Sequence, residues 1–352
     1  MEIQKGIVDI QENIIFGLGG LESLKGDIFF PPKKDKKRPS ILIIHGGGRY
    51  EGDKSQLRGY GILLARFGFV CFCSSYRLSH EDLWPAQIQD VKCAIRYLRS
   101  NADKLGIDPQ RIGVSGNSAG GHLALMAGAS FSHRDFEGQG GHNNVDSRVK
   151  AVCAIYPPTS IKNLTHIDPL DNAFLALMGK KAIQEDYDRA SPINYVTEKY
   201  PPTMLVHGSS DKLVKLEDSS LFYKELIKKK VSAELHIFAE QEHAFDSEPG
   251  YGRNIADLQR GYFSSIEEVL GNISKRSLRS GAALNRTMIT LPILVKRGQA
   301  ITLRAEKAGF SVNMKGLALK KGRLGDKIKV KNSSSDKVLY GTIISADLVL
   351  VD

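Results

Sequence analysis

The sequence predicts an α/β fold with a mostly parallel, doubly wound sheet, followed by a small C-terminal all-β domain. Between residues 40 and 270, short β-branched apolar runs alternate with longer amphipathic stretches, which is typical of strands joined by crossover helices. After residue 280, short alternating segments are broken by Gly, Asn and Ser. The charge changes at the same place, because residues 1–272 hold 33 Lys and Arg against 34 Asp and Glu, whereas residues 273–352 hold 16 against 5. We therefore expect two domains, 1–272 and 281–352, joined by a polar linker at 273–280.

Six compact apolar runs predict the strands of the sheet, because a parallel strand is buried on both faces. These runs are Ile41–Ile44, Phe69–Cys73, Arg111–Ser115, Val149–Ile155, Thr203–Val206 and Ala233–Phe238. Amphipathic stretches between them predict helices at Leu57–Phe67, Pro85–Ser100, Ala119–Ala129, Leu216–Lys229 and Asn254–Leu270. In open sheets of this kind, functional residues gather at the carboxyl ends of the strands.

The composition is that of a globular protein. Of the 352 residues, 41% are hydrophobic and 25% are charged. No apolar run approaches the ~18 residues of a membrane helix. The first residues lack the basic and apolar regions of a secretory signal, so we expect a cytoplasmic location. The four cysteines are too few and too scattered for a disulfide framework or a zinc site, which predicts buried thiols.

A Gly-x-Ser-x-Gly motif follows the third predicted strand, at Gly116-Asn117-Ser118-Ala119-Gly120. A serine between a strand and a helix needs a tight, strained turn, and small flanking residues let the two backbone segments approach each other. Such a turn raises the hydroxyl above the sheet edge and points the Ala119 N–H at an incoming carbonyl oxygen. The motif therefore predicts that Ser118 is a nucleophile.

Three consecutive glycines follow the first predicted strand, in His45-Gly46-Gly47-Gly48. Because glycine has no Cβ atom, its N–H group can turn toward an oxyanion. A phosphate-binding loop is the alternative, but Gly52-Asp53-Lys54-Ser55 departs from the required Gly-Lys-Ser/Thr pattern. No Gly-x-Gly-x-x-Gly opens a helix here, so a dinucleotide site is not predicted.

A nucleophilic serine needs a base, and the base needs an orienting acid. Of the nine histidines, only His243 lies in a loop directly after a late strand, and Asp211 lies in the neighbouring strand-end loop. The chain order Ser118, Asp211, His243 is that of α/β-hydrolases. Three acidic residues near His243 compete with Asp211, and we interpret them as solvated loop charges: Glu240, Glu242 and Asp246. We expect structural roles for the other candidates, His45, His122 and His207.

Residues 15–270 resemble the α/β-hydrolase esterases of the hormone-sensitive-lipase type, and among them the compact acetyl-xylan, feruloyl and carboxyl esterases. Six segments carry the resemblance: His45–Gly48, Ser75–Ser79, Trp84–Ala86 with Asp90–Lys92, Gly116–Gly121, Ser147–Val152 and His207–Asp211. The resemblance implies Ser118 as nucleophile, His243 as general base and acid, and Asp211 as its orienter. It also implies an oxyanion hole formed by the N–H groups of Gly47, Gly48 and Ala119.

The resemblance bears on the substrate as well. Relatives commonly carry an aromatic residue after the three glycines, where this chain has Arg49 followed by Tyr50, so we expect both residues to shape the substrate pocket. Residues 157–202 are too few for a large lid, which favours an open site and short acyl esters, including acetylated or feruloylated sugars. Acyl transfer through Ser118 needs no metal or organic cofactor.

The C-terminal segment predicts a small β domain. Ile328 and Val330 alternate with Lys327, Lys329 and Lys331, which gives one apolar and one basic face. A turn at Asn332–Asp336 precedes strands at Val338–Ile344 and Leu348–Val351. About 70 residues resemble the C-terminal domain of the bacterial flagellar P-ring assembly chaperone, in the segments 291–299, 309–312, 316–319, 325–332 and 340–343.

This second resemblance implies a protein-binding domain that acts in the periplasm on a P-ring subunit. Stacking platforms for single-stranded nucleic acid interleave aromatic with basic residues, and this domain offers only Phe310 and Tyr340, so no nucleic-acid partner is expected. Two functions stay open: a serine esterase with an appended β domain, and a P-ring assembly protein that carries a passenger hydrolase. A hydrolase fold without catalysis is disfavoured because all three triad positions are occupied.

Overall fold

The computed structural model describes residues 4, 6–33, 37–129, 133–161, 169–262, 273–274, 289–290, 292–307 and 310–351. The chain divides into two compact units, Met1–Phe263 and Ser264–Asp352.

One sheet runs through the N-terminal unit. Its strands are β1 (Asp9–Gly19), β2 (Glu22–Phe30), β3 (Arg38–Ile44), β4 (Val70–Ser74), β5 (Ile107–Asn117), β6 (Ala151–Ile155), β7 (Thr203–Gly208) and β8 (Ala233–Phe238). They lie in the order β1-β2-β4-β3-β5-β6-β7-β8. Pairing is parallel from β4 through β8, whereas β2 is antiparallel to both β1 and β4. All six predicted strands are confirmed, and the mostly parallel sheet with them.

The hairpin of β1 and β2 was not predicted. The first half of β1 reads Asp9-Ile10-Gln11-Glu12-Asn13 and is largely exposed, so it shows little of the apolar alternation that marks a strand. The register shifts between Gln11 and Ile14, where Asn13 takes a positive φ of 57°. An irregular edge strand of this kind gives a weak sequence signal.

The helices of the N-terminal unit are α1 (Arg58–Arg66), α2 (Ala86–Ser100), α3 (Ala102–Leu105), α4 (Ala119–Ala129), α5 (Pro169–Met178), α6 (Gln184–Arg189), α7 (Leu216–Lys228) and α8 (Pro249–Tyr262). The five predicted helices are present, and α8 starts five residues before its predicted start. The end of that prediction, 263–270, lies outside the described residues. Among the described helices, none combines the length and apolar character needed to cross a membrane.

Helices cover both faces of the sheet, and each face has its own apolar core. One core contains Leu98 of α2, Leu123 of α4 and Phe222 of α7. The other contains Leu64 of α1 and Ile255 of α8. All four cysteines are buried, as predicted, and burial raises the pKa of each thiol.

The C-terminal unit contains a two-residue pair, β9 (Ile273–Ser274) with β10 (Ile289–Thr290), and a barrel. The barrel strands are β11 (Ala300–Lys307), β12 (Phe310–Ala318), β13 (Lys327–Asn332), β14 (Val338–Ile343) and β15 (Leu348–Val351). They close into a ring in which β11 and β15 pair in parallel. The predicted alternation is confirmed, since Ile328 and Val330 are buried while Lys327 and Lys329 are exposed.

The barrel core gives a first testable prediction. Leu303 is fully buried among Ile301, Val330 and Val349, so Leu303→Ala is expected to leave a cavity that costs about 2–5 kcal/mol of barrel stability. Hydrogen exchange of the barrel amides, followed by mass spectrometry, measures the change. Val338→Ala is the matched control, because that side chain is 54% exposed and its loss should cost less than about 0.5 kcal/mol. Equal exchange in the two variants would contradict the assignment of the core.

Candidate active site

Ser118 lies in the tight turn between β5 and α4. Its φ of +52° is a strained value for a residue with a side chain, as expected for an exposed nucleophile in such a turn. Its N–H donates to the Ile155 carbonyl at 2.8 Å, which ties the turn to β6. A Cβ atom on Gly120 would lie 2.1 Å from the Ile44 carbonyl oxygen, and one on Gly116 would lie 2.4 Å from the Gly120 oxygen. Both motif glycines are therefore required by close backbone contact.

His243 bridges Ser118 and Asp211. Its Nε2 atom lies 2.9 Å from Ser118 Oγ, and its Nδ1 atom lies 2.7 Å from Asp211 Oδ2. Because a carboxylate only accepts hydrogen bonds, Nδ1 carries the proton and Nε2 is free to accept the proton of Ser118. The structure thus brings together the three residues that the sequence analysis selected, from turns that follow β5, β7 and β8.

Asp211 is held as a carboxylate by several donors. The N–H groups of Leu213 and Val214 donate to its Oδ1 atom at 3.0 and 2.9 Å, and His207 Nε2 lies 3.4 Å from Oδ2. Burial raises the pKa of Asp211, but hydrogen bonds from His207 and His243 outweigh that effect, and the pKa falls well below the ordinary carboxyl value. Asp211 therefore stays ionised beside the imidazole of His243.

His207, His45 and His122 are buried and bonded within the fold. His207 Nε2 donates to the Val214 carbonyl at 2.9 Å, and its Nδ1 atom accepts from the Ser219 hydroxyl at 2.8 Å. Burial lowers the pKa of His45 to about 4 and that of His122 to about 3, so both are neutral. The expectation of structural roles agrees with this environment.

The glycine loop turns into the site through left-handed backbone. Gly47 and Gly48 have φ values of +88° and +61°, and a Cβ on Gly47 would lie 2.2 Å from the Glu51 carbonyl oxygen. Together with Ala119 they line the cavity above Ser118. The hydroxyl of the buried Tyr76 donates to the His45 and Gly46 carbonyls at 3.1 and 3.3 Å, which holds the start of the loop in place.

Arg49 and Tyr50, expected to shape the substrate pocket, differ in exposure. Both belong to the cavity wall, and the Tyr50 side chain is 49% exposed. The Arg49 side chain is buried, with its guanidinium 5.3 Å from the centre of the Phe174 ring. Burial lowers the pKa of Arg49 to about 10, so it remains charged near neutral pH.

Two residues beside His243 were missed or misread in the sequence. Asp246, interpreted above as a solvated charge, is buried and accepts hydrogen bonds from Tyr60 and Tyr156. The exposed Glu240 and Glu242 fit that interpretation. The Tyr156 ring centre lies 4.6 Å from that of His243. The only sequence signal for Tyr156 was its place directly after a predicted strand.

A cavity of about 740 Å³ contains Ser118 and His243 in its wall. Its apolar lining comes mainly from Leu57, Leu63, Pro158, Ala173 and Leu213. Polar side chains lie among them: Glu51, Gln56 and Arg253. In the part of the chain that the structure describes, no three His, Cys, Asp or Glu side chains are grouped in a way that could hold a metal ion. The arrangement is suited to attack of a hydroxyl on a carbonyl group of a small or medium-sized molecule.

The two parts of the chain match two different protein families. Residues 26–226 match the BD-FAE family, and residues 252–351 match the family described as chaperone for flagella basal body P-ring formation. Esterase LipC of Mycobacterium tuberculosis is 33% identical over 200 residues, which are 54% of this chain and 49% of LipC. The probable carboxylic ester hydrolase LipM of the same organism is 31% identical over 217 residues, 59% of this chain and 49% of LipM. This chain thus spans about half the length of these curated relatives.

Solved structures of esterases share the fold of most of this chain. A truncated carbohydrate esterase from gut microbiota superposes with a TM-score of 0.65 at 28% identity, over 73% of this chain and 97% of that one. An acetyl ester-xyloside bifunctional hydrolase from Caldicellulosiruptor lactoaceticus has a TM-score of 0.61 at 32% identity, over 70% and 88% of the two chains. The α/β-hydrolase fold and the C-terminal resemblance predicted from the sequence are both confirmed.

The serine turn gives a second prediction. Gly120→Ala would place a methyl group against the backbone of Ile44, which lies inside the sheet and cannot move away. A loss of about 3 kcal/mol of stability is therefore expected, at the upper end of the cost of overpacking a protein interior. Thermal unfolding monitored through Trp84 measures it. Gly59→Ala is the matched control, since a Cβ there meets nothing within 4 Å and alanine is the better helix former. An unchanged melting temperature in Gly120→Ala would contradict the close contact.

Proposed function

This chain belongs to the BD-FAE family, and from that membership we propose that it is a serine carboxylic-ester hydrolase acting on short-chain acyl esters. The observation that carries the proposal is the continuous hydrogen-bonded chain from Asp211 through His243 to Ser118. A serine, a neutral imidazole and an ionised carboxylate in this order are the requirements of nucleophilic acyl transfer.

The proposed reaction proceeds in two steps. Ser118 Oγ attacks the ester carbonyl while His243 Nε2 takes the hydroxyl proton, and the N–H groups of Gly47, Gly48 and Ala119 stabilise the oxyanion. His243 then gives that proton to the leaving alcohol as the C–O bond breaks, which leaves an acyl group on Ser118. Water, activated by His243, releases the acid. Each oxyanion donor is expected to contribute about 2.7–4 kcal/mol to the transition state.

The cavity supports esters of compact acids with a polar alcohol. Its apolar wall at Leu63, Ala173 and Leu213 suits an acyl or aryl group, and the polar Glu51, Gln56 and Arg253 suit hydroxyl groups on the other part of the molecule. Similarity to a carbohydrate esterase and to an acetyl ester-xyloside hydrolase agrees with acetylated sugars as substrates. Feruloylated sugars are a second member of the same class.

Removal of the nucleophile tests the proposal. Ser118→Ala is expected to lower kcat for a short aryl ester on the order of 10⁶-fold, because the triad acts as a unit. The measurement is spectrophotometric release of the aryl alcohol by the full chain, with circular dichroism as the check on folding. Ser115→Ala is the control, since that serine is buried inside β5 and should keep activity within a few-fold. Near-normal turnover in folded Ser118→Ala would exclude the mechanism.

We propose a second, separate role for the C-terminal barrel, as a binding domain for a flagellar P-ring subunit. One exposed face combines basic and apolar side chains in register. Lys329 lies opposite Tyr340 with its Nζ atom 5.5 Å from the ring centre, and Lys331 lies between Leu317 and Val338. Tyr340 and Val338 are about half exposed, and Leu317 is 38% exposed. The face suits a protein segment that carries acidic and apolar side chains.

Charge reversal tests the barrel role. Lys329→Glu with Lys331→Glu is expected to reduce coprecipitation of a P-ring subunit by the full chain at least about tenfold, because two attractive contacts become repulsive. Lys224→Glu with Lys229→Glu is the matched control and should leave capture unchanged, because Lys224 is exposed on α7 and Lys229 is exposed directly after it. Equal capture by both double variants, or none by the wild type, would contradict this role. Ester hydrolysis is expected to be the same in all three proteins.

A further inference from the structure

Asp246 is a buried carboxyl three residues after His243, and both its oxygens accept hydrogen bonds from tyrosine. Tyr60 Oη donates to Oδ2 at 3.1 Å, and Tyr156 Oη donates to Oδ1. Asp246 is 7% exposed. Within the described residues, no lysine or arginine forms an ion pair with it. Because its donors are neutral tyrosine hydroxyls, the negative charge of an ionised Asp246 is not cancelled by a paired cation.

Tyr156 connects this carboxyl to the reacting residues. Its ring lies against the His243 ring, 4.6 Å between centres, and its hydroxyl accepts from Asn117 Nδ2 at 3.1 Å. Since Asn117 supplies the proton of that bond, the Tyr156 hydroxyl directs its own proton to Asp246. Asn117 is the residue before Ser118. Tyr156 also has a positive φ of 38°, a strained value that its fully buried position maintains.

Tyr60 connects the same carboxyl to the other side of the site. It is part of α1, the helix that follows the glycine loop, and it is buried beside Phe245 in the core on that face of the sheet. Asp246 therefore joins three segments: the turn of Ser118, the loop of His243 and the helix after the oxyanion loop. All four residues of this network, Asn117, Tyr156, Asp246 and Tyr60, line the cavity.

We propose that Asp246 is a second acidic positioning residue of the active site, which fixes the His243 loop through Tyr60 and Tyr156 and adds a negative charge beside the imidazolium formed during attack. This inference rests on the proposed ester hydrolysis. Asp211 orients the His243 ring through the hydrogen bond to Nδ1. Asp246 acts on the face of the His243 ring that packs against Tyr156. Although burial raises the pKa of Asp246, the charge of His243 acts to lower it, so the two groups are close enough to interact electrostatically.

The burial of Asp246 and the groups that face it act on its pKa in opposite directions. Burial is the larger effect and raises the pKa of Asp246 above the ordinary carboxyl value, while hydrogen bonds from Tyr156 and Tyr60 and the charge of His243 limit that rise. Burial raises the pKa of three neighbours, Tyr60, Tyr156 and Cys153, and the charge of Asp246 adds to that rise. From α8, Arg253 also faces the cavity. Asp211 and Tyr156 contact His243 directly, and Asp246 interacts with it electrostatically.

Asp246→Asn in the full chain tests the inference, because asparagine keeps the shape and removes the charge. The kcat for a short aryl ester is expected to fall about 10- to 100-fold with KM within about twofold. The acidic limb of kcat/KM should move to lower pH by about half a unit or more, since the imidazolium loses a neighbouring negative charge. Asp246→Ser places a smaller, neutral hydrogen-bond acceptor at the same position and should move the acidic limb of kcat/KM in the same direction. This variant replaces Asp246→Asn in the test if Asp246→Asn does not fold.

Tyr200→Phe is the control for loss of a buried tyrosine hydroxyl. Tyr200 is buried and donates to the Leu125 carbonyl at 2.6 Å, away from the cavity. Its loss is expected to lower stability and to leave the pH profile unchanged. A fall in kcat with an unmoved acidic limb in both Asp246 variants would overturn the inference, because it would indicate general loosening of the fold.

An NMR titration separates this inference from the proposed function. The ring signals of His243, assigned by comparison with His243→Gln in histidine-labelled protein, should titrate at lower pH in Asp246→Asn than in the wild type. The measurement needs no turnover. If the wild type fails to hydrolyse esters, the proposed function is wrong, while the titration midpoint still decides whether Asp246 acts on His243. Identical midpoints would overturn the inference.

Discussion

The hydrogen bonds on the two sides of the His243 ring are the interaction on which the proposed chemistry depends, and the fold of the N-terminal unit positions the residues that make them. Ser118 and His243 are 125 residues apart, and Asp211 is 32 residues from His243. They meet because β5, β7 and β8 are parallel and end at the same edge of the sheet. The strand order, the helices on both faces and the close contact of Gly120 with Ile44 all serve to bring these three turns within hydrogen-bond distance.

The electrostatics of the site follow from burial combined with selective hydrogen bonding. Asp211 and Asp246 are both buried, yet their donors differ. Asp211 receives backbone N–H groups and two histidines, and its pKa falls, whereas burial raises the pKa of Asp246 despite two tyrosine donors. A charge kept in a site of low polarity by fixed donors needs little rearrangement when the imidazolium forms. The two carboxylates thus give His243 negative charge on more than one side.

Much of this arrangement could be predicted from the sequence, because it has local signals. The Gly-x-Ser-x-Gly turn, the three glycines and the strand-end positions of Asp211 and His243 each depend on a short segment. The network of Asp246 could not be predicted, since its partners Tyr60 and Tyr156 lie 186 and 90 residues away and nothing local distinguishes a buried loop aspartate from a solvated one. The hairpin of β1 and β2 was missed for a related reason, because the polar first half of β1 is specified by pairing with β2 rather than by its own pattern.

The central claim is that Ser118 is a nucleophile activated by His243, and covalent labelling tests it most directly. The full chain is incubated with an aryl alkylphosphonate, which reacts with activated serines, and the site of the adduct is determined by peptide mass spectrometry. The account predicts one adduct per chain, on the peptide that contains Ser118, and its loss in His243→Ala. An adduct on another serine, or equal labelling of Ser118 without His243, would contradict it.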